Sequence, residues 1–136
     1  MRIRTAEQDD INFLMTLDNR CFDNPYSYAT WMQLIMRRSI QVACDPDVVG
    51  YLAYFSDDPH LIARLGVTPS RRRCGIGSLL LSTLQTRGVK CTLTEDVMLE
   101  GVGAFFKANG FVAKKINDSF VFSWNFNVSN DSFGMD

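Results

Sequence analysis

The stretch from Val67 to Leu81, VTPSRRRCGIGSLLL, constrains this chain more than any other. It closes a run rich in branched residues, turns at Pro69, passes three consecutive arginines and two closely spaced glycines, and then repeats leucines at helical spacing. Glycines at 75 and 77 remove side chains where a backbone must approach an anion, and the first amides of a helix are unpaired and positively polarised. Arg71, Arg72 and Arg73 add fixed charge suited to phosphate groups. Strand, basic turn and helix are therefore expected to follow one another here, in a form suited to a phosphate group, the ordinary alternative being one of the basic glycine-containing turns that are common in proteins. Other phosphate loops fit worse: Gly75 to Leu80 lacks the third glycine of a dinucleotide fingerprint, and no Gly-Lys-Ser/Thr of a Walker loop occurs.

Periodicity supplies the elements on either side. Arg2 to Thr5 reads as a short strand, and Thr5 followed by Gln8 resembles a capping box opening a helix striped by Ile11, Leu14, Leu17 and Cys21. Pro25 breaks the chain, and Ser27 caps a second helix to about Arg38, with Trp31, Leu34 and Ile35 pointing one way. Gln41 to Cys44 and Val48 to Phe55 read as a hairpin around Asp45-Pro46-Asp47, and Leu61 to Thr68 as a further strand. The central helix is expected from Gly75 to about Arg87, with Ile76, Leu79, Leu80 and Leu84 on its apolar side and Gly88 as its stop. Val89 to Leu93 is a short strand, and Val102, Phe105 and Phe106 mark a fourth helix stopped by Asn109-Gly110. Phe111 to Ile116 then pairs with a last strand in which Phe120, Phe122, Trp124 and Phe126 share one face. The order β-α-α-β-β-β-α-β-α-β-β describes an α/β (mixed α+β) fold, a mixed sheet of about seven strands flanked by about four helices.

Composition bounds the rest. With 136 residues and 46% hydrophobic content, residues 1–128 suffice for a single domain with its own core, and the polar end 129–136 is expected to fray. A net charge of -1 and a pI near 5.8 argue against a general nucleic-acid binder. Cys21, Cys44, Cys74 and Cys91 form no CxxC pair and have one histidine to join them, so no metal site is expected. The start MRIRTAEQ lacks an apolar signal segment and no run is long enough for a bilayer, so a soluble, cytoplasmic protein with free thiols is expected.

Arg72-Arg73-Cys74-Gly75-Ile76-Gly77 resembles the Gln/Arg-x-x-Gly-x-Gly/Ala signature of the GNAT superfamily of N-acetyltransferases at each specified position. Ala104 to Phe111, AFFKANGF, is similar to that family's helix ending in Phe-Tyr-x-x-x-Gly-Phe, and the two features cover roughly residues 60–112. The resemblance implies acetyl-CoA as donor. Its pyrophosphate would lie on Arg72, Arg73, Cys74, Gly75, Ile76, Gly77 and Ser78, and its pantetheine arm along Leu65, Gly66 and Val67.

Transfer of acetyl to an amine needs the amine neutral, the carbonyl polarised and a proton for the departing thiolate. Here the sequence departs from the family. Where many members carry a strand-four glutamate stands Leu61, and where a subgroup places its strand-five glutamate stands Thr94. Glu95 is one residue away, and a bulge would bring it into place. His60 is a second candidate base, acting through water. Phe106 replaces the family's tyrosine acid, leaving Tyr54 and Tyr26 as candidate hydroxyls. Each has an ordinary structural reading: a loop carboxylate for Glu95, a solvated turn for His60 and core or surface packing for the tyrosines.

The segment Phe22-Asp-Asn-Pro25-Tyr26-Ser27 resembles the Phe-x-x-Pro-Trp-Ser of the subgroup that acetylates ribosomal-protein N-termini, where it lines the acceptor groove. The implied partner is a primary amine, on a small molecule or a protein N-terminus, with the protein a monomer or homodimer and neither nucleic acid nor membrane engaged. Two other readings stay open. One is a CoA-binding protein with little catalysis. The other is an interaction module using Arg37, Arg38 and Arg71 to Arg73 as a basic patch.

Overall fold

The computed structural model describes residues 1–56, 59–85, 88–94, 102–117 and 119–124. Among these lie seven strands, β1 (Arg2–Thr5), β2 (Ile40–Cys44), β3 (Val48–Phe55), β4 (His60–Val67), β5 (Val89–Thr94), β6 (Val112–Ile116) and β7 (Ser119–Trp124). They also hold four helices, α1 (Ile11–Cys21), α2 (Tyr28–Met36), α3 (Ile76–Ser82) and α4 (Val102–Ala108). Strand pairing runs β1-β2-β3-β4-β5-β7-β6, a mixed sheet in which β4 and β5 are parallel. The element order is the one the periodicity predicts. The chain forms two compact units, Met1–Phe55 with Ile62–Thr83, and Ser56–Leu61 with Leu84–Asp136.

In the first unit β1, β2 and β3 form an antiparallel meander, Arg2 opposite Cys44 and Ile40 opposite Ala53. Alternation along β3 serves both faces. Tyr51 and Ala53 join the cluster that includes Leu14, Leu17, Trp31 and Leu34 of α1 and α2, while Gly50 faces Ile76 and Leu80 of α3. Burial of a leucine such as Leu14 stabilises the fold by about 1.5–3 kcal/mol, which fixes which side of α1 turns inward.

Two local expectations are corrected. The entry to α1 is not capped by Thr5 and Gln8: Thr5 still pairs with Gln41 in the sheet, and its hydroxyl accepts from Gln41 Nε2 at 3.3 Å. The Asp10 carboxylate does the work instead, accepting from the Glu7 amide at 2.7 Å and from both Arg4 Nη atoms at 2.7 and 2.8 Å. In α3, Leu79 is 43% exposed, while Ile76, Leu80 and Leu81 are buried. At 3.6 residues per turn the direction set by Ile76, Leu80 and Leu84 lies equally far from Leu79 and Leu81, so periodicity alone does not choose between them and the packing of the helix does. The regular helix also ends at Ser82, short of the expected Arg87, and residues 86–87 lie outside the described ones.

The second unit is built on β5, β7 and β6, with Val89 opposite Trp124 and Thr94 opposite Ser119. The first residues of β4 join it, His60 opposite Val89 and Leu61 opposite Lys90. Phe106 of α4 packs against Phe111 and Phe122, ring centroids 5.1 and 5.6 Å away, and α4 stops at Asn109-Gly110 as expected. All four cysteines are free, and burial pushes the Cys91 thiol up to about 12. Phe126 and the 129–136 tail lie outside the described residues.

Candidate active site

The loop that opens the sequence reading lies within the first unit. A 3-10 turn, Pro69–Arg71, leaves β4, and Arg72 is extended. Arg73 and Gly75 then both take left-handed backbone conformations, with φ of 63° and 83°. Left-handed residues in a tight turn aim successive N–H groups to one side, the geometry of an anion-binding concavity. A Cβ at Gly75 would meet nothing within 4 Å, so glycine is favoured there by φ rather than by crowding, and the space above it is open. The first bond within α3 runs from the Leu79 amide to Gly75 C=O at 3.0 Å, which leaves the amides of Ile76, Gly77 and Ser78 ahead of the ladder.

The three arginines, alike in sequence, are distinct in structure. Arg71 Nη2 donates to Asp45 Oδ2 at 2.6 Å, holding the Asp45 carboxyl below the usual carboxylate range. Arg72 folds back onto its own strand: Nε donates to Val67 C=O at 3.1 Å and Nη2 lies 3.8 Å from Cys21 Sγ. Arg73 is exposed, and among the described residues it makes no hydrogen bond or ion pair. Cys74 is exposed beside it, its thiol 3.6 Å from Arg72 C=O.

Leu65, Gly66 and Val67 end β4 and lead into this loop. Gly66 has a steric reason of its own. A Cβ there would lie 2.6 Å from Tyr51 Cε1 and 2.8 Å from the Tyr51 hydroxyl. Only hydrogen at this position lets the Tyr51 ring cross the strand.

Tyr51 leads to a buried network that the sequence reading missed. Asp18, fully buried on α1, accepts from the Tyr51 hydroxyl at 2.5 Å, from Arg64 Nη1 at 2.9 and 3.0 Å, and from the Tyr26 amide at 2.7 Å. Burial first, and the bond to Asp18 second, raise the Tyr51 hydroxyl well above the ordinary tyrosine range. Arg64 Nη2 also donates to Asn24 C=O at 3.0 Å, and its guanidinium stacks 4.4 Å from the Phe22 ring and 3.9 Å from the Tyr26 ring. Just upstream, Cys21 Sγ reaches Val67 C=O at 3.6 Å. The signal was present as two opposite charges on otherwise apolar faces, Asp18 beside Leu14 and Leu17, and Arg64 inside LIARLGV.

The proposed proton-transfer residues are not assembled by these contacts. His60 begins β4, buried, its amide donating to Gly88 C=O at 2.8 Å, so it is a strand residue rather than a solvated turn. Tyr54 is buried near the end of β3, its hydroxyl donating to Arg38 C=O at 3.4 Å and its amide to Ser39 C=O at 3.0 Å. Tyr26 gives its amide to Asp18 and its ring face to Arg64. Leu61 is 40% exposed, Thr94 ends β5, and Glu95 lies outside the described residues. Phe106, 2% exposed, brings only carbon to its surroundings.

The model of the acetyltransferase (GNAT) domain matches residues 37–113, more than half of the chain, and the chain belongs to that family. No curated protein matches the sequence. Among solved structures, a GNAT-family acetyltransferase from Bacillus cereus superposes with a TM-score of 0.79 at 21% identity, over 91% of this chain and 96% of that one. The ribosomal-protein-S18-alanine N-acetyltransferase of Escherichia coli gives 0.77 at 14% identity, over 91% and 92%. The diaminobutyrate acetyltransferase of Paenibacillus lautus, solved with its substrate and coenzyme A, gives 0.70 at 16% identity, over 91% and 93%. The chain shares their fold. No helix among the described residues is long and apolar enough to cross a membrane.

Proposed function

We propose that this protein transfers an acetyl group from acetyl-CoA to a primary amine, with the pyrophosphate of the donor on the Arg72–Ser78 loop. The observation that carries the reading is Arg73, an uncompensated guanidinium on a loop whose backbone turns left-handed at 73 and 75. Its charge is available to a phosphate without first breaking an ion pair, whereas Arg71 is engaged by Asp45 and Arg72 by Val67. The open space above Gly75 admits the anion, and the amides of Ile76 to Ser78 add polarised donors. Leu65, Gly66 and Val67 would hold the pantetheine arm through main-chain groups.

In the reaction a C–N bond forms, the thioester C–S bond breaks, and the proton shed by the amine ends on the departing thiolate. Glu95, or His60 through water, is the base in this reading, and Tyr54 or Tyr26 the candidate hydroxyl. The acceptor is a small-molecule amine or a protein N-terminus, as among the structurally similar enzymes. A second reading, CoA binding with little turnover, is favoured by Phe106, which is enclosed by phenylalanines where the family's proton donor is expected.

Calorimetric titration with acetyl-CoA tests the donor site. Arg73→Glu should bind about tenfold more weakly or worse, a loss of at least ~1.4 kcal/mol, with the fold retained. Unchanged affinity would sink the loop assignment. Release of free thiol with a pool of peptides and alkyl amines then separates turnover from binding alone.

A further inference from the structure

We propose that Asp18 and Arg64 are positioning residues for the acceptor: together they set the path of the Phe22–Ser27 segment, whose exposed tip forms a wall beside the donor strand. The inference rests on the acetyl-CoA reading of Leu65 to Val67. It begins with where the segment is fastened. Arg64, immediately before those residues, holds the Asn24 carbonyl at 3.0 Å and, through Asp18, the Tyr26 amide. Cys21, immediately before the segment, touches the Val67 carbonyl at 3.6 Å. The segment is therefore tied to β4 at Arg64 and at Val67, just before and at the end of the stretch assigned to the pantetheine arm.

The form of the fastening is specific. Both main-chain bonds fix backbone rather than side chains, so they define a course for residues 24 to 26 whatever those side chains do. The rings of Phe22 and Tyr26 both lie against the guanidinium, at 4.4 and 3.9 Å, so each gives a face to Arg64. What remains outward is Asp23, Asn24, Pro25 and Ser27, all exposed. A buried ion pair of this kind is a poor source of net stability compared with apolar packing, and a directional one. Four donor bonds converge on one carboxylate, and a planar cation lies against two rings. Lysine, a point charge on a flexible stem, can satisfy Asp18 but cannot also reach Asn24 and stack.

An amine arriving at a thioester held along β4 passes this wall. Loosening the clamp should blur the wall while leaving the donor loop alone, because among the described residues the hydrogen bonds of Arg64 go to Asp18 and Asn24 and none goes to Arg73 or to residues 75–78. The test uses Arg64→Lys and, as a variant that leaves the buried charges intact, Phe22→Leu. The full chain is assayed with acetyl-CoA and the best acceptor from a pool of hexapeptides with free N-termini and alkyl diamines. Expected for Arg64→Lys is a KM for the amine raised about tenfold, with the acetyl-CoA Kd and kcat within about threefold of the parent. Phe22→Leu should move the amine KM in the same direction by a smaller factor. Should Arg64→Lys fail to fold, Phe22→Leu decides. A lowered kcat with both KM values unchanged, the signature of a smaller active fraction, would overturn the proposal and leave the acetyltransferase reading standing. If the parent binds acetyl-CoA but turns over no amine in the pool, that reading fails and the clamp's role falls with it.

Discussion

Replacing Gly66 by alanine puts the close approach of β3 and β4 to a quantitative test. The new Cβ would stand 2.6 Å from Tyr51 Cε1 and 2.8 Å from both Cζ and the hydroxyl, where ordinary contact begins near 3.4 Å, so something must move by about 0.8 Å. The ring has little freedom to yield. It is fully buried, edge-on to Trp31 at 5.5 Å, and its hydroxyl is bonded to Asp18 at 2.5 Å. Overpacking of this kind costs about 1–3 kcal/mol. Displacing a hydrogen bond to a charged group adds about 1.5–3 kcal/mol. A total of roughly 3–5 kcal/mol is a large part of the ~5–15 kcal/mol that holds a domain together. For a chain of this length that corresponds to a melting temperature lower by roughly 10–20 °C, read by circular dichroism and checked by urea unfolding. The same substitution in a Tyr51→Phe background should cost about 1.5–3 kcal/mol less, since the hydroxyl and its bond are already gone. A Gly66→Ala protein within 1 kcal/mol of its parent would refute the steric account of this glycine, and a cost unchanged by Tyr51→Phe would refute the share assigned to the Tyr51–Asp18 bond.

Phe106→Tyr restores the family's hydroxyl, but at a position enclosed by Phe105, Phe111 and Phe122, so a loss of about 1–3 kcal/mol without a gain in acetylation rate is expected. A faster enzyme of unchanged stability would show that a proton donor was the missing part. Asp10→Asn should alter the acid limb of stability. Its hydrogen bonds to Arg4 hold the Asp10 carboxyl below the ordinary 3.8, so its contribution is fully present above that value and is lost as pH falls through the lower folded one. The gap in urea midpoint between parent and Asp10→Asn should therefore be constant from about pH 5 to 7 and begin to narrow as pH falls below about 4. A gap that does not narrow at all as the pH is taken further down would contradict this.

The parts legible in sequence are those set by short-range rules. Ser27 caps α2 by accepting from the Thr30 amide at 3.2 Å, as its position before an apolar stripe indicates. Asn109-Gly110 ends α4, and the glycines of the basic loop mark a turn whose left-handed backbone at Gly75 the structure contains. Where two local signals competed, sequence alone chose wrongly. Thr5 and Gln8 have the spacing of a cap, but Thr5 is retained by the β1–β2 ladder, and the charged Asp10, also paired with Arg4, takes the role. That competition is decided by tertiary pairing, which no window of a few residues contains.

The arginines make the same point at the site. Three adjacent residues of one type read as a single basic patch, yet their partners, Asp45, Val67 and Cys21, come from the β2–β3 turn, the strand before and the end of α1. Only folding distinguishes Arg73, which makes no hydrogen bond or ion pair among the described residues, from its two neighbours. Asp18 and Arg64 are 46 residues apart and separately look like polar interruptions of a helix stripe and a strand. A lone buried charge costs far more than a polar interruption on a surface, so each predicts a partner of opposite sign on a facing element. Pairing the two would have placed α1 and its following segment on β4 before any contact was seen.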